Sequence, residues 1–524
     1  MRRTYLLDCT LRDGGYVNDW KFGYNTICGF CKKIEKTGIE ILEVGFLKGT
    51  FYDKDKAVFP KIEDFISVIQ PKSDKMKYVA MLDMSAPVPL ESIAPYDGKS
   101  VDGIRVIFKK DKLEEAYRYC EEIQRLGYFV SVNFVGTDTY TDQEFIEGIK
   151  KFNMLHPYAM AIVDTFGLIK KKQFMRLAYI ADNNMEDGIM LGYHAHNNLQ
   201  QAFANAEALV EMNLKRDLII DACVFGMGRG AGNLNLELFA EHMNENYGTD
   251  YQIEPMLEIM DEYLSTFYKK KFWGYSLPLY LSATSGCHPN YAIYLAEKDT
   301  LTAKAFGELL ASIPEDDKLK FSKEKAEKYY RNYVEKSIDD TDAVNELRDI
   351  FREKNIVVIA PGRSVKEYED CVKNVSEKEN TICIAVNFVP NNFKIDYVFS
   401  NNIKRYNKIQ KVSDIKYITT SNMSDCKNSD YVVDFASYAS SNSGIIDNSG
   451  IMLLRLLSTL GVAKVSLAGM DGYSEYYGKD YYDQTLEYSF AFTAEQRNEA
   501  ILSEIEELRK YIEISFITPS RYDK

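Results

Sequence analysis

Five histidines occur in the 524 residues, and two of them, His194 and His196, stand in a single His-Ala-His step. On an extended strand residues i and i+2 leave the same side, so both imidazoles can reach one point, and neutral imidazoles suit a first-row divalent metal. A carboxylate would complete the set, and Asp13 supplies one in the run Asp8-Cys9-Thr10-Leu11-Arg12-Asp13-Gly14-Gly15. Its neighbour Arg12 offers a fixed cation, and Glu43 in Leu42-Glu43-Val44-Gly45-Phe46 a second carboxylate. A Lewis acid beside a guanidinium is the equipment for stabilising negative charge on a carbonyl-derived oxygen, as in making or consuming an enolate. The plain structural reading of Arg12 and Glu43 is an ion pair with no further role.

These residues are far apart in the chain, so a scaffold must gather them. Up to about residue 255, short β-rich runs alternate with helical stretches, which signals βα units and a parallel sheet. The spacing predicts strands at Thr4–Cys9, Glu40–Val44, Tyr78–Leu82, Gly103–Phe108, Phe129–Phe134, Met160–Val163, Met190–Tyr193 and Leu218–Val224. Helical periodicity fills the gaps, as in Asn198–Val210, where Leu199, Ala202, Phe203, Ala206 and Leu209 share a face. Eight such units predict a (β/α)8 TIM barrel, whose chemistry lies at the C-terminal strand ends. Those ends carry Asp8–Gly15, Glu43–Gly45, Asp164–Thr165, His194–Asn197 and the glycine loop Gly226–Asn233.

Residues 1–255 are therefore expected to form the barrel, 256–350 a charged helical extension and linker, and 351–524 a second α/β domain. The last opens with the apolar run NIVVIA and continues with TICIAVNF, DYVFS, KYITT, YVVDF, KVSLAG and EISFIT, with helical stretches such as Gly450–Leu460 and Glu495–Tyr511. That series predicts a doubly wound, Rossmann-like domain. The turn Pro361-Gly362-Arg363-Ser364 can present backbone N–H groups to a phosphate, and Asn387, Asp396 and Ser441–Gly444 fall at later strand ends. Without GxGxxG, a sugar phosphate or nucleotide is a better expectation than a dinucleotide, and a purely structural or oligomerisation role is the alternative.

Composition narrows the class. At 46% hydrophobic and 27% charged residues the chain reads as soluble and globular. A formal charge of −14 argues against nucleic acid as partner. No apolar run approaches membrane-spanning length and the N-terminal apolar run is too short for a signal peptide, so a cytoplasmic location with no membrane partner is expected. Nine cysteines without framework spacing suit a reducing compartment, and Cys28-x-x-Cys31 reads as helix packing. A homo-oligomer is expected.

The motifs TLRDGG, LEVGF, HAHNN and GMGRGAGN, in that order over roughly residues 1–240, resemble the DRE-TIM metallolyases, the HMG-CoA lyase-like family. Its members include 4-hydroxy-2-oxovalerate aldolase, 3-hydroxy-3-methylglutaryl-CoA lyase, and the isopropylmalate and homocitrate synthases. The resemblance implies that Asp13, His194 and His196 hold a divalent metal, with Asn233 a further ligand or support. It implies that Arg12 steadies an enolate oxygen and that Glu43 supports Arg12. Mn²⁺ is the expected ion, with Mg²⁺, Co²⁺ and Zn²⁺ open.

Within that family, the lyase for hydroxymethylglutaryl-CoA has a cysteine in the strand 8 loop, and Gly226–Asn233 has none. Residues 273–291, WGYSLPLYLSATSGCHPNY, sit where the aldolases place a helical cover that contributes a tyrosine. The expectation is therefore an aldolase or lyase acting on a 4-hydroxy-2-oxo acid through a pyruvate-type enolate, with an aldehyde as second partner. An acyl-CoA-dependent Claisen synthase is the alternative. One residue departs from the pattern: the aldolases carry a basic histidine three residues after the metal aspartate, where this chain has Tyr16. A phenol with pKa near about 10 is a poor base, which leaves His288, Tyr291 or a water held by the metal as candidates for proton transfer. The Gly-Arg-Ser turn and KVSLAGMDG resemble a Rossmann-like domain of bacterial sialyltransferase-type polysaccharide proteins. A polysaccharide-biosynthesis protein with a scaffold barrel is a further alternative, against which the intact Arg12, Asp13, Glu43, His194 and His196 set argues.

Overall fold

Strands that are apolar on both faces must be covered on both, and in the computed structural model they are: helices pack outside, and side chains fill the middle. The structure describes residues 2–523 apart from 299, 336, 424, 425, 427, 443, 475–479 and 487–493. It divides into two compact units, Met1–Ile293 and Tyr294–Lys524.

The first unit is a closed barrel of eight parallel strands. They are β1 (Thr4–Asp8), β2 (Ile41–Leu47), β3 (Lys77–Asp83), β4 (Gly103–Phe108), β5 (Phe129–Phe134), β6 (Ala159–Asp164), β7 (Met190–Ala195) and β8 (Leu218–Ala222). β1 pairs with both β2 and β8, which closes the ring. A two-residue strand, Val58–Phe59, adds to the end of β2. Each predicted strand is present, and β7 runs two residues past its expected end, so His194 lies on the strand itself.

The lumen shows why the chemistry sits at one end. Leu7, Ile41, Val79, Ala159, Met190 and Ile219 form an apolar plug. Two residues further along their strands, on the same side by strand periodicity, come Glu43 after Ile41 and Asp221 after Ile219. Between Glu43 and Gly45 the register with β3 shifts by one residue, a bulge of the kind that re-aims a side chain near a site.

The outer helices follow their sequence patterns. Leu113–Arg125 buries Ala116, Tyr119, Cys120 and Ile123, one stripe at helical spacing. Asp142–Asn153 starts on a capping box between Thr141 and Glu144. The helix expected over Asn198–Val210 instead spans Ala202–Glu211. Its first residues form a turn, because the Asn198 side chain holds the Phe166 carbonyl and the Ala231 amide.

The second unit holds seven strands: β9 (Asn355–Ile359), β10 (Thr381–Val386), β11 (Tyr397–Ser400), β12 (Lys416–Thr420), β13 (Tyr431–Val433), β14 (Lys464–Ala468) and β15 (Glu513–Phe516). All seven predicted runs are strands, parallel throughout, in the order β13-β12-β11-β10-β9-β14-β15. The chain winds outward from β9 and then returns to its other side, giving a doubly wound sheet with its switch point between β9 and β14. Of the Ser441–Gly444 stretch, Ser443 lies outside the described residues. No helix of the described residues is long and apolar enough to cross a membrane.

The bulge in β2 yields a test of the scaffold. A Cβ on Gly45 would stand 2.3 Å from the Ala57 carbonyl oxygen, backbone that cannot yield cheaply. Gly45→Ala is expected to destabilise the barrel by about 1–3 kcal/mol, the range for overpacking, read as a lower midpoint in urea denaturation.

Candidate metal centre

The first strand leaves the barrel on a tight turn. Asp8 accepts hydrogen bonds from the Thr10 amide at 3.1 Å and the Thr10 hydroxyl at 2.6 Å, and Thr10 Oγ1 accepts from the Val224 amide at 2.8 Å. Burial pushes the Asp8 carboxyl up to about 7. This turn ties the β1 and β8 ends together and starts the short helix Thr10–Asp13, every residue of which is buried.

There the sequence-predicted residues converge. His194 Nε2 lies 3.3 Å from Asp13 Oδ2 and His196 Nε2 lies 4.0 Å from the same oxygen. One donor atom from each of Asp13, His194 and His196 falls within 4.8 Å of the others. All three are nearly inaccessible, as are Arg12 and Glu43. Asn233 joins them through a backbone bridge to His196.

Two residues that the sequence reading passed over complete the arrangement. Asp221 Oδ2 lies 3.1 Å from His194 Nδ1, and Arg105 donates to Asp221 and, at 3.0 Å, to Glu43 Oε1. Arg12 Nε donates to Glu43 Oε2 at 2.6 Å, and its Nη1 donates to Asp13. The pairs form a closed ring: Asp13, Arg12, Glu43, Arg105, Asp221, His194 and back to Asp13. The signal for Arg105 and Asp221 was a charge set inside an otherwise apolar buried strand, GIRVIF and LIIDA.

The ring sets the protonation states. Burial opposes ionisation of Asp13, yet Arg12 and the two imidazoles hold its carboxyl well below the usual range. Burial likewise opposes the His194 imidazolium, but hydrogen bonds to Asp13 and Asp221 hold its pKa well above the ordinary value. His196, dominated by burial, is pushed down to about 3. The site favours positive charge between Asp13 and Asp221 and offers a neutral imidazole beside it.

Whether a metal fits is decided by the donors. Asp13 Oδ1, His196 Nδ1 and Asn233 Oδ1 are buried without hydrogen-bond partners. The Asn233 amide nitrogen donates to Met227 O at 3.1 Å and Cys223 Sγ at 3.2 Å, which leaves its oxygen uncommitted. Carboxylate, imidazole and amide donors suit a first-row divalent ion, and Asp221 on His194 Nδ1 is the orienting hydrogen bond that metal-binding histidines use. A second trio, Cys9, His194 and Asp221, is equally compact, but Asp221 is engaged by Arg105 and burial raises the Cys9 thiol far above its usual range. The glycine loop lies against the cluster: a Cβ on Gly228 would meet the Asn233 amide at 2.3 Å and Asp13 Oδ1 at 3.3 Å.

The remaining candidates are placed around this centre. Tyr16 is half-buried, edge-on to Trp20 at 4.8 Å, with the Arg229 guanidinium 5.1 Å from its ring centroid. Burial first, then the Asp13 charge, raises its pKa, so it stays a phenol. His288 packs edge-on to Phe166 at 5.9 Å, and its Nδ1 accepts from the Asn290 amide at 3.1 Å. Burial, reinforced by Arg229, pushes its pKa down to about 3. Tyr291 is fully buried on the helix Pro289–Ala296. Asp164 spends both oxygens on the Leu168 and Ile169 amides, folding its own loop.

Residues 3–261 match the HMGL-like family. The 4-hydroxy-2-oxovalerate aldolase of Pseudoalteromonas translucida is 23% identical over 263 residues, which span 49% of this chain and 75% of that one. The oxaloacetate decarboxylase of Mycobacterium tuberculosis is 23% identical over 238 residues, 45% of this chain and 68% of that one. Among solved structures, the HMG-CoA lyase of Brucella melitensis aligns at 15% identity with a TM-score of 0.40, covering 52% of this chain and 99% of that one.

The ligand set is tested by metal content. Asp13→Ala and His194→Ala are each expected to lose stoichiometric metal, by elemental analysis after dialysis, while circular dichroism reports a folded barrel. Asp221→Asn keeps the shape and removes the charge behind His194, so metal affinity should fall roughly 10- to 100-fold, the scale for an orienting residue.

Proposed function

With the barrel an HMGL-like domain, we propose that this chain is a divalent-metal-dependent aldolase that cleaves or forms the C3–C4 bond of a small 4-hydroxy-2-oxo acid. The reaction passes through a pyruvate-type enolate, with an aldehyde as the other partner. The observation that carries the reading is Arg12, buried and fixed by Asp13 and Glu43, beside a compact Asp13, His194 and His196 cluster.

Asp13, His194 and His196, with Asn233 Oδ1 as a further donor, would hold the ion, Mn²⁺ in this proposal with Mg²⁺, Co²⁺ or Zn²⁺ as alternatives, and it supplies a Lewis acid for the keto oxygen. The rest falls to the side chains. A guanidinium has five N–H donors, and Arg12 commits Nε to Glu43 and one Nη1 donor to Asp13. Its other donors are available to an oxygen on which charge develops, and because the ring fixes the group beforehand, no reorganisation is needed.

The part of His288 at the hydroxyl is assigned from hydrogen bonding. Because the Asn290 amide donates to His288 Nδ1, neutral His288 carries its proton on Nε2. In the condensing direction that N–H can hydrogen-bond the aldehyde oxygen and steady the charge that develops on it, the proton that completes the hydroxyl coming from solvent. Tyr16, a phenol held under Arg229, packs beside this path.

The test is release of pyruvate from 4-hydroxy-2-oxo acids, with and without Mn²⁺. His288→Ala is expected to lower turnover roughly 10²-fold, the scale for removing one donor to a developing oxyanion, whereas Tyr16→Phe costs little. The reverse order would assign the proton to Tyr16, and no metal-dependent release from any such acid would end the aldolase reading.

A second, separate reading concerns Tyr294–Lys524. A crevice opens at the β9/β14 switch point, lined by Gly362, Asn387, Arg405, Ser449, Gly469 and Arg497 among others. Crevices at such points are where doubly wound sheets take ligands, which supports a phosphate-bearing partner, a sugar phosphate or a nucleotide. Glucose 1-phosphate or CMP should then raise the thermal midpoint of the full chain where inorganic sulfate does not; equal effects of all three would remove this reading.

A further inference from the structure

Three arginines serve the mouth of the barrel, and one of them has no counter-ion among the described residues. Arg12 and Arg105 each bind two carboxylates inside the buried ring. Arg229 lies in the glycine loop after β8, half-buried, and no carboxylate among the described residues pairs with it. Its guanidinium lies against the Tyr16 ring, 5.1 Å from the centroid, which presents a π face and no negative charge.

Its position is fixed by what flanks it. Gly228 backs onto Asn233 and Asp13, and the next residue, Gly230, faces Asn198 and Leu279. A Cβ on Gly230 would stand 3.7 Å from the Pro289 side chain, next in the chain to His288, while the Arg229 guanidinium itself lies against the Tyr16 ring. The guanidinium thus borders the space between the metal cluster and the Tyr16 and His288 side. Lys109, exposed at the end of β4, adds positive charge toward His288. A partly desolvated guanidinium without a counter-ion is unfavourable, and its planar fork matches a carboxylate or phosphate.

Resting on the aldolase reading, we propose that Arg229 is the subsite for an anionic group on the aldehyde partner, so that the substrate is a 4-hydroxy-2-oxo acid with a second negative charge beyond C4. In the proposed reaction the 2-oxo acid end lies toward Arg12 and the Asp13, His194 and His196 cluster. The aldehyde approaches from the His288 side, which is the side Arg229 borders. A carboxylate or a phosphate satisfies the same fork.

The experiment uses the full chain loaded with Mn²⁺. Exchange of the C3 protons of pyruvate with solvent is measured first, because it reports enolate formation without any aldehyde. Condensation of pyruvate is then followed with succinic semialdehyde, with glyceraldehyde 3-phosphate, and with the neutral butanal and glyceraldehyde. The wild type is expected to favour a charged aldehyde over its neutral counterpart by roughly tenfold or more in kcat/KM, the scale of a charge-assisted pair. Arg229→Met should bring that ratio close to one, mainly through KM, and Arg229→Lys should retain part of it. Which charged aldehyde wins separates carboxylate from phosphate.

A ratio near one in the wild type, or one that survives Arg229→Met, overturns the proposal. So does a raised KM for pyruvate in the exchange assay of Arg229→Met, which would put the carboxylate of the 2-oxo acid on Arg229 instead. Absence of exchange in the wild type overturns the aldolase reading itself, and this inference with it.

Discussion

A ring of six buried side chains, Asp13, Arg12, Glu43, Arg105, Asp221 and His194, is the constraint on which the barrel mouth depends. Isolated charges in such a place would be costly, and breaking a buried pair by removing one partner usually costs about 3–5 kcal/mol because the other charge is left uncompensated. A closed ring has no end at which that cost is relieved. Three carboxylates face two guanidiniums, and the remaining negative charge is met by the His194 imidazolium between Asp13 and Asp221. A cation in place of that proton would meet the same charge, which supports the proposed divalent ion, and the same pairs hold Arg12 and His194 in orientation.

The barrel makes such a ring possible by stacking layers. Strand periodicity turns every second residue inward, so an apolar layer at one height forces the next inward residues to sit directly above it. Leu7, Ile41, Val79, Ala159, Met190 and Ile219 exclude water from below. Glu43, Arg105 and Asp221 therefore meet each other in a low-dielectric space, where ion pairs are strong and mispairing is severe. Small residues where β6 and β7 lie side by side, Ala161 against Gly192, keep that space open: a Cβ on Gly192 would approach the Ala161 Cβ to 2.7 Å.

How much of this was legible in the sequence follows from the range of each interaction. Strands were legible, because a doubly covered strand is an uninterrupted apolar run, and this held in both sheets. His194 and His196 were legible as a local pair, and Asp13 and Glu43 as polar residues at strand ends. Arg105 and Asp221 were visible only as charges in the wrong place, since their pairing joins residues 116 apart in the chain. The start of the helix at Ala202 was misjudged for a related reason: Asn198 is held by Phe166 and Ala231, from the loops after β6 and β8. Tyr16 could be recognised as a departure from the family pattern, but its protonated state depends on burial and on Asp13, which no local window contains.

The three arginines at the mouth show how one residue type is divided between structure and chemistry. Arg105, nearest the apolar plug, is locked between Glu43 and Asp221 and is 3% exposed. Arg12, one layer outward, is held by two carboxylates through only part of its fork. Arg229, on the loop above, rests on an aromatic face with no carboxylate among the described residues. Moving outward, protein acceptors become fewer and solvent or ligand must take their place. A cation whose donors are consumed can only position its neighbours, whereas one with donors to spare can respond to charge that arrives with a substrate or develops during reaction. In the proposed reaction the order of the three along the lumen is also an order of function: Arg105 fixes the ring, Arg12 both belongs to it and would face the reacting oxygen, and Arg229 would meet the charge that enters with a substrate.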